Sequence, residues 1–263
     1  MKKVAYSIAA VALISLFAAC KNDVQNTLTS TEFPTDASHD LAVADIGNAE
    51  NPSSQYLYVT APSGLTLREY NNLNSDKLAR MPYGTRVEVL TSEENATMTV
   101  GGIRGAMNEV AFNHQKGFAF TGYLSKFFPP EQNIKAKMYA EDLQKLFPNV
   151  SFTETAGGTA SAPINTQTLR LPTTQWHEAY FIAQRLFDFP KEFAFPNQKG
   201  TNTETLFDGK PKKGIWKSEL QITRDDNVLE KIEYVYGSEK FDSTVSIVQD
   251  GDTMKITKTE TIK

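Results

Sequence analysis

Cysteine is almost absent from this sequence, histidine is scarce, and basic residues do not exceed acidic ones. Each of these features restricts the kinds of site that the protein can form. The 263 residues contain one Cys and three His. One cysteine cannot form an intrachain disulfide, and three histidines leave few ligands for a zinc site. The 27 Lys and Arg residues face 31 Asp and Glu residues, so no basic excess exists to neutralise nucleic-acid phosphates. We therefore expect no nucleic-acid partner, no cofactor and no metal.

Long apolar runs are also missing, apart from one near the N-terminus. Residues 4–19 are mostly apolar and follow the cationic start Met1-Lys2-Lys3. As a helix this run would span ~24 Å, short of the ~30 Å hydrocarbon core of a bilayer. A positive start, a short apolar stretch and then small residues are typical of a secretory signal. We expect residues 1–19 to be a signal peptide. The alternative is an uncleaved anchor helix that ends near an unrelated cysteine.

The end of this run, Phe17-Ala18-Ala19-Cys20, resembles the lipobox of bacterial lipoproteins. The resemblance implies that Cys20 becomes the new N-terminus and carries palmitate-type acyl chains. Two or three such chains hold a protein to a membrane firmly, since each buried methylene contributes ~0.8 kcal/mol. Position 21 is Lys rather than Asp, which in Gram-negative systems implies the outer membrane, on its periplasmic or surface face. Residues 20–54 are polar, and we interpret them as the lipidated cysteine and a flexible tether.

Residues 55–128 form the next predicted domain, a series of short strands separated by Gly and Pro. Three motifs stand out in order: VTAPSGLTLRE, LARMPYGTRVEVL and KGFAFTGYLSKF. Gly64 and Gly84 lie at expected turns that need a positive φ or a close approach of the backbone. Alternating apolar residues between them are expected to fill a core: Leu65, Leu67, Val87, Val89, Val110, Phe118, Phe120 and Leu124.

This ordered set of motifs resembles the bacterial SH3-like (SH3b) domain. The resemblance implies a small β-barrel that contacts peptidoglycan peptides or an envelope protein. Candidate ligand-binding residues on its loops are Arg68, Tyr70, Tyr83 and Tyr123. The sequence departs from the family where Gly105-Ala106-Met107-Asn108 replaces the usual Trp, and where the loop of residues 91–104 is long.

Residues 136–263 are predicted to form an α+β domain of unknown function, which makes the whole protein mainly β. A helix is expected over residues 136–147, with Met138, Leu143, Leu146 and Phe147 near one face. Residues 149–172 suggest a long loop, and a second helix is expected from Gln175 to Phe187 after Thr173-Thr174. The last fifty residues alternate as an antiparallel meander of about four strands, which the two helices could cover on one face.

Catalytic motifs are incomplete in this sequence. His177-Glu178-Ala179-Tyr180-Phe181 is half of the zinc motif H-E-x-x-H, with Phe181 in place of the second His. Acylation of Cys20 would leave no thiol for a Cys/His peptidase. The segments 225–227 and 250–252 are acidic, but turn chemistry explains them better than calcium binding does. The sequence therefore points to no catalytic residue.

The resulting prediction is a lipid-anchored envelope binding protein that is not an enzyme. Its partners would be the membrane, through the N-terminal lipid, and peptidoglycan or an envelope protein. The alternatives are an envelope assembly scaffold or adaptor, a carboxylate-dependent hydrolase in residues 136–263, and a small-ligand carrier in the same region. A hydrolase would need two close acidic or His groups in a pocket, and a carrier would need an apolar cavity of ~300 Å³ or more.

Overall fold

The computed structural model describes residues 55–93, 95–209 and 212–263. The predictions for residues 1–54, which include the signal peptide, lipidation of Cys20 and the tether, lie outside the described residues. Within the described ranges, no helix combines the length and apolar character needed to cross a bilayer.

An antiparallel sheet occupies the N-terminal part of the described chain. The strands of this part are β1 (Gln55–Val59), β2 (Leu65–Arg68), β3 (Lys77–Met81), β4 (Arg86–Thr91), β5 (Met98–Val100), β6 (Ile103–Gly105), β7 (Met107–Phe112), β8 (Gln115–Phe120) and β9 (Leu124–Ser125). Strands β5 and β6 pair as a separate hairpin, and the others form one sheet in the order β3-β2-β8-β7-β4-β1-β9. No pairing among the described residues joins the edge strands β3 and β9, so the sheet is not closed into a barrel.

The expected core and turns of this sheet are found. Gly64 and Gly84 have φ values of +82° and +81°, as their turn positions require. Six of the eight expected core residues are buried, and Val89 and Phe118 pack against that core half-buried. The alternation of apolar side chains was thus enough to locate the inner face.

A second antiparallel sheet makes up most of the C-terminal part. Its strands are β10 (Ser151–Thr159), β11 (Ala162–Leu171), β12 (Thr203–Phe207), β13 (Ile215–Asp225), β14 (Val228–Ser238), β15 (Phe241–Asp250) and β16 (Thr253–Ile262), in the spatial order β10-β11-β16-β15-β14-β13-β12. The predicted meander is confirmed as β13 to β16. The mainly β prediction, with an antiparallel sheet and two helices in the second part, is confirmed as well.

The long loop predicted for residues 149–172 is wrong, because most of this segment forms the β10–β11 hairpin. Strand β11 pairs with β16 along its length, from Ile164 opposite Thr261 to Leu171 opposite Met254. Strand β10 lies at the sheet edge, and most of its side chains are exposed. An edge strand with two solvated faces lacks the apolar alternation that signals a strand, so the segment has the composition of a loop.

Two helices accompany the second sheet: α1 (Ala136–Gln144) and α2 (Trp176–Leu186). The second predicted helix is found as α2, and the helically spaced residues Trp176, Tyr180, Ala183 and Phe187 are all buried. For α1 the prediction was partly wrong. Met138 and Leu146 are 54% and 60% exposed. The buried stripe follows the helical spacing i, i+3, i+4, i+7 and consists of Ala136, Tyr139, Ala140 and Leu143.

The two sheets share one hydrophobic core. Their buried apolar side chains form a single continuous cluster. Across it, the Tyr123 ring lies 5.9 Å from Phe181 of α2, and Phe128 lies 5.6 Å from Tyr139 of α1, measured between ring centroids. The domain boundary expected between residues 128 and 136 stays a prediction, and the residues on its two sides are packed together. This packing brings α2 against the loops of the first sheet.

Candidate functional site

The turn between β1 and β2 forms a rim between two surface grooves. The Arg80 guanidinium donates hydrogen bonds to the Ser63 carbonyl, which ties this turn to β3. A Cβ atom on Gly64 would lie 2.8 Å from the Met81 carbonyl oxygen, so only glycine fits here without a shift. Pro62 and Ser63 line both grooves.

The first groove, which we name the Arg68 groove, has a volume of about 240 Å³. Arg68 and Tyr123 both line it, although 54 positions separate them in the sequence. Arg68 donates a hydrogen bond of 2.9 Å to the Ser75 carbonyl, and burial raises the pKa of Tyr123. The apolar wall of this groove includes Val100 and Met107, which belong to the two regions where the sequence departs from the SH3-like pattern.

The second groove, which we name the Arg185 groove, has a volume of about 570 Å³. It lies between the first sheet and α2, and its lining residues come from both. Its lining includes Thr60, Tyr83, Phe181, Arg185, Asp188 and Lys191.

Tyr83 stands between the Arg185 groove and a third groove of about 810 Å³, and Arg185 lines both of them. The Tyr83 hydroxyl donates to the Pro130 carbonyl at 3.2 Å, and the guanidinium carbon of Arg185 lies 5.5 Å from the centre of the Tyr83 ring. Burial raises the pKa of Tyr83 to about 12, although the Arg185 charge acts in the opposite direction. At neutral pH this residue is therefore a neutral hydrogen-bonding group.

Tyr70 lies apart from the other three predicted ligand residues. It follows β2 in an exposed loop, is 59% exposed, and lines none of the three grooves. The structure thus brings Arg68 and Tyr123 into one groove, places Tyr83 in the adjoining one, and leaves Tyr70 outside.

The His177-Glu178 pair lies buried at the start of α2, and Glu178 connects the helix to the first sheet. Glu178 accepts hydrogen bonds from the hydroxyls of Ser125 in β9, at 2.5 Å, and of Thr173, at 2.6 Å. Burial raises the pKa of the Glu178 carboxyl, and these two hydrogen bonds oppose that rise. Burial lowers the pKa of His177 to about 4. Glu178 therefore has a structural role that the partial zinc motif did not suggest, and the buried His177 ring packs 6.2 Å from the Phe195 ring, measured between centroids.

Phe181, which occupies the place of the second histidine in the zinc motif, lies instead on the wall of the Arg185 groove. Within the described part of the chain, no three His, Cys, Asp or Glu side chains cluster closely enough to hold a metal ion. The acidic segments 225–227 and 250–252 form the hairpin turns that their composition predicts: Asp226, Asn227 and Gly251 adopt positive φ values there.

Sequence reasoning missed Arg185, Lys191 and Thr60 as possible ligand-binding residues. Arg185 occurs in an ordinary amphipathic helix, and only the packing of α2 against the first sheet gives it a groove. Thr60 is the one that the sequence could have indicated, because it lies inside the first SH3-like motif.

Comparisons with protein-family models, with curated proteins and with solved structures found no match to this chain.

Proposed function

We propose that this chain is a lipid-anchored protein of the bacterial cell envelope that binds peptidoglycan stem peptides without catalysing a reaction on them. Arg68 and Tyr123 line the same groove, and this observation is the main support for the proposal. Both residues come from the SH3-like motifs, and the resemblance to that family implies a ligand-binding role for each.

The chemistry of the Arg68 groove suits a short peptide. A guanidinium can bind a carboxylate or a backbone carbonyl, and a tyrosine hydroxyl can donate or accept a hydrogen bond. The apolar side chains of Val100, Met107 and Phe120 in the wall suit small groups such as the methyl group of alanine. Ligand sites commonly combine such an apolar lining with a few placed polar groups.

The position of the groove also favours binding to a polymer. It is open at the surface, and Pro62 and Ser63, which line both cavities, form the rim between it and the Arg185 groove. An extended peptide that hangs from a glycan strand could therefore bind without entering an enclosed cavity. The predicted lipid anchor at Cys20 would keep the protein within reach of the cell wall.

Sedimentation with purified sacculi tests this proposal. The full chain, purified in detergent, is expected to sediment with sacculi, and Arg68→Gln is expected to lower the bound fraction at least fivefold. Arg170→Gln is the matched control, because Arg170 pairs with Asp250 on the second sheet and lines none of the three grooves. Thermal melting shows that the variants are folded.

Two results would contradict the proposal. One is that the wild-type chain stays in the supernatant while a known peptidoglycan-binding protein sediments. The other is that Arg68→Gln and Arg170→Gln lose the same amount of binding.

A further inference from the structure

Two residues that line the Arg185 groove each carry a buried polar atom without a hydrogen-bond partner. In the described part of the chain, three buried side-chain polar atoms have no hydrogen-bond partner: Thr60 Oγ1, Arg185 Nε and Thr257 Oγ1. The first two belong to residues that line the same groove. Because most buried polar atoms in proteins are paired, two exceptions at one place indicate a position where a ligand supplies the missing acceptor and donor.

The charges around this groove favour an anionic ligand. Among the described residues, Arg185 forms no ion pair, and neither does Lys191 on the same groove. The one acidic lining residue, Asp188, is exposed. The face of the Tyr83 ring lies beside the Arg185 guanidinium, which limits the orientations that this group can adopt. A planar guanidinium is well suited to bind a carboxylate through two hydrogen bonds.

We propose that the Arg185 groove is a carboxylate-binding subsite for a peptidoglycan stem peptide whose chain continues into the Arg68 groove. This inference rests on the proposed function and adds to it the chemical group that is recognised. Arg185 would bind the carboxylate, and the Thr60 hydroxyl would hydrogen-bond to the adjacent peptide group. Phe181 and Phe189 provide an apolar wall for the neighbouring side chain.

The volume of the subsite and the elements that contribute its lining residues support this assignment. Its volume of about 570 Å³ lies within the ~300–1,000 Å³ that is common for small-ligand sites. Thr60 comes from the turn between β1 and β2 and Arg185 from α2, so both predicted domains are needed to form it. The C-terminal part of the chain would then take part directly in ligand binding.

Calorimetric titration of the full chain in detergent tests the subsite. The probes are a synthetic stem pentapeptide with free carboxylates and the same peptide with every carboxylate converted to an amide. The wild-type chain is expected to bind the acid at least tenfold more tightly than the amide. Arg185→Gln is expected to abolish this difference, and Arg170→Gln is expected to keep it.

Stability measurements separate a binding role from a structural one. Arg185→Gln and Thr60→Val remove unpaired buried polar atoms, so neither variant is expected to melt at a lower temperature than the wild type. Thr60→Val is expected to weaken binding of both peptides. A large fall in melting temperature for both variants would show that their side chains support the fold, and would overturn the inference.

The remaining outcomes distinguish the two proposals. Sedimentation with sacculi together with equal affinity for acid and amide would overturn the carboxylate subsite and leave the proposed function standing. Absence of binding to sacculi and to both peptides would overturn both. Equal or tighter binding of an all-L peptide acid of the same length would assign the subsite to a protein terminus, and would overturn its assignment to stem peptides.

Discussion

His177 and Glu178 are neighbours at the start of α2, and they make stability depend on pH in opposite directions. Burial favours the neutral form of each side chain. The folded-state pKa of His177, about 4, lies below its ordinary value of 6.5, so its contribution to stability is complete above pH 6.5 and is lost as the pH falls toward 4. The raised pKa of Glu178 has the opposite effect, since protonation in acid relieves a buried charge.

His177→Gln is therefore expected to change how stability depends on pH. Glutamine does not titrate, so the stability lost by the wild type between pH 6.5 and 4 through protonation of His177 is absent in the variant. The difference in unfolding free energy between the two proteins is expected to change by about 3 kcal/mol over this interval, at ~1.4 kcal/mol per pH unit. Urea unfolding at several pH values measures it, and parallel curves for the two proteins would contradict the expectation.

Individual site residues differed in how far the sequence could predict them. Arg68 and Tyr123 lie inside recognisable motifs next to turn glycines, so their placement near loops followed from local patterns. Arg185 has no such context, because its role depends on which surface α2 packs against. Short-range patterns carry no information about that packing, and the charge of an arginine on a helix usually signals only a solvated face.

At the scale of elements, the predicted face of α1 is partly wrong, because it includes the exposed Met138 and Leu146 and omits the buried Tyr139 and Ala140. Met138 is exposed, whereas Leu143 is fully buried beside Tyr139 and Ala140. Tyr139 also donates a hydrogen bond to the Phe128 carbonyl at 2.8 Å, which orients the helix. Leu143 should therefore contribute much more to stability than Met138 does.

Truncation of the Leu143 and Met138 side chains tests which face of α1 is buried. Leu143→Ala is expected to lower the unfolding free energy by about 2–4 kcal/mol through lost burial and a residual cavity. Met138→Ala, at an exposed position of the same helix, is the matched control and is expected to change it by at most about 0.5 kcal/mol. Chemical denaturation gives both values, and equal losses would show that the helix buries a different face.

The β10–β11 hairpin shows a second limit of element prediction. Its sequence is rich in Thr, Gly and Ala, yet β11 is held by a full ladder of pairs with β16. Long-range backbone pairing of this kind has little effect on amino-acid composition, so composition alone does not indicate it. The meander from β13 to β16 was predictable because one face of it is buried, which imposes an alternation of apolar and polar residues.

At the scale of the whole molecule, two predicted domains share one buried core. The sequence indicated both parts from their separate patterns, but not the contacts between them, which depend on residues far apart in the chain. These contacts place α2 beside the loops of the first sheet and so create the Arg185 groove. Experiments on function therefore need the full chain rather than residues 55–128 alone.

The predicted lipid anchor is also a property of the whole molecule. Cys20→Ser is expected to prevent acylation, because the thiol sulfur is the atom that carries the first lipid. The variant should then move from the detergent phase to the aqueous phase in a detergent-partitioning assay, while the wild type stays with membrane proteins. Incorporation of labelled palmitate into the variant would contradict the assignment of Cys20.

Photo-cross-linking of a stem peptide to the full chain, read by mass spectrometry, locates the peptide-binding site. A photoreactive group on the peptide is expected to label the turn of residues 60–64, Met107, Tyr123 and the end of α2 near Arg185. An excess of unlabelled peptide should remove these cross-links. Labelling confined to the second sheet, between β10 and β16, or labelling that excess peptide does not reduce, would contradict a peptide-binding site in these two grooves.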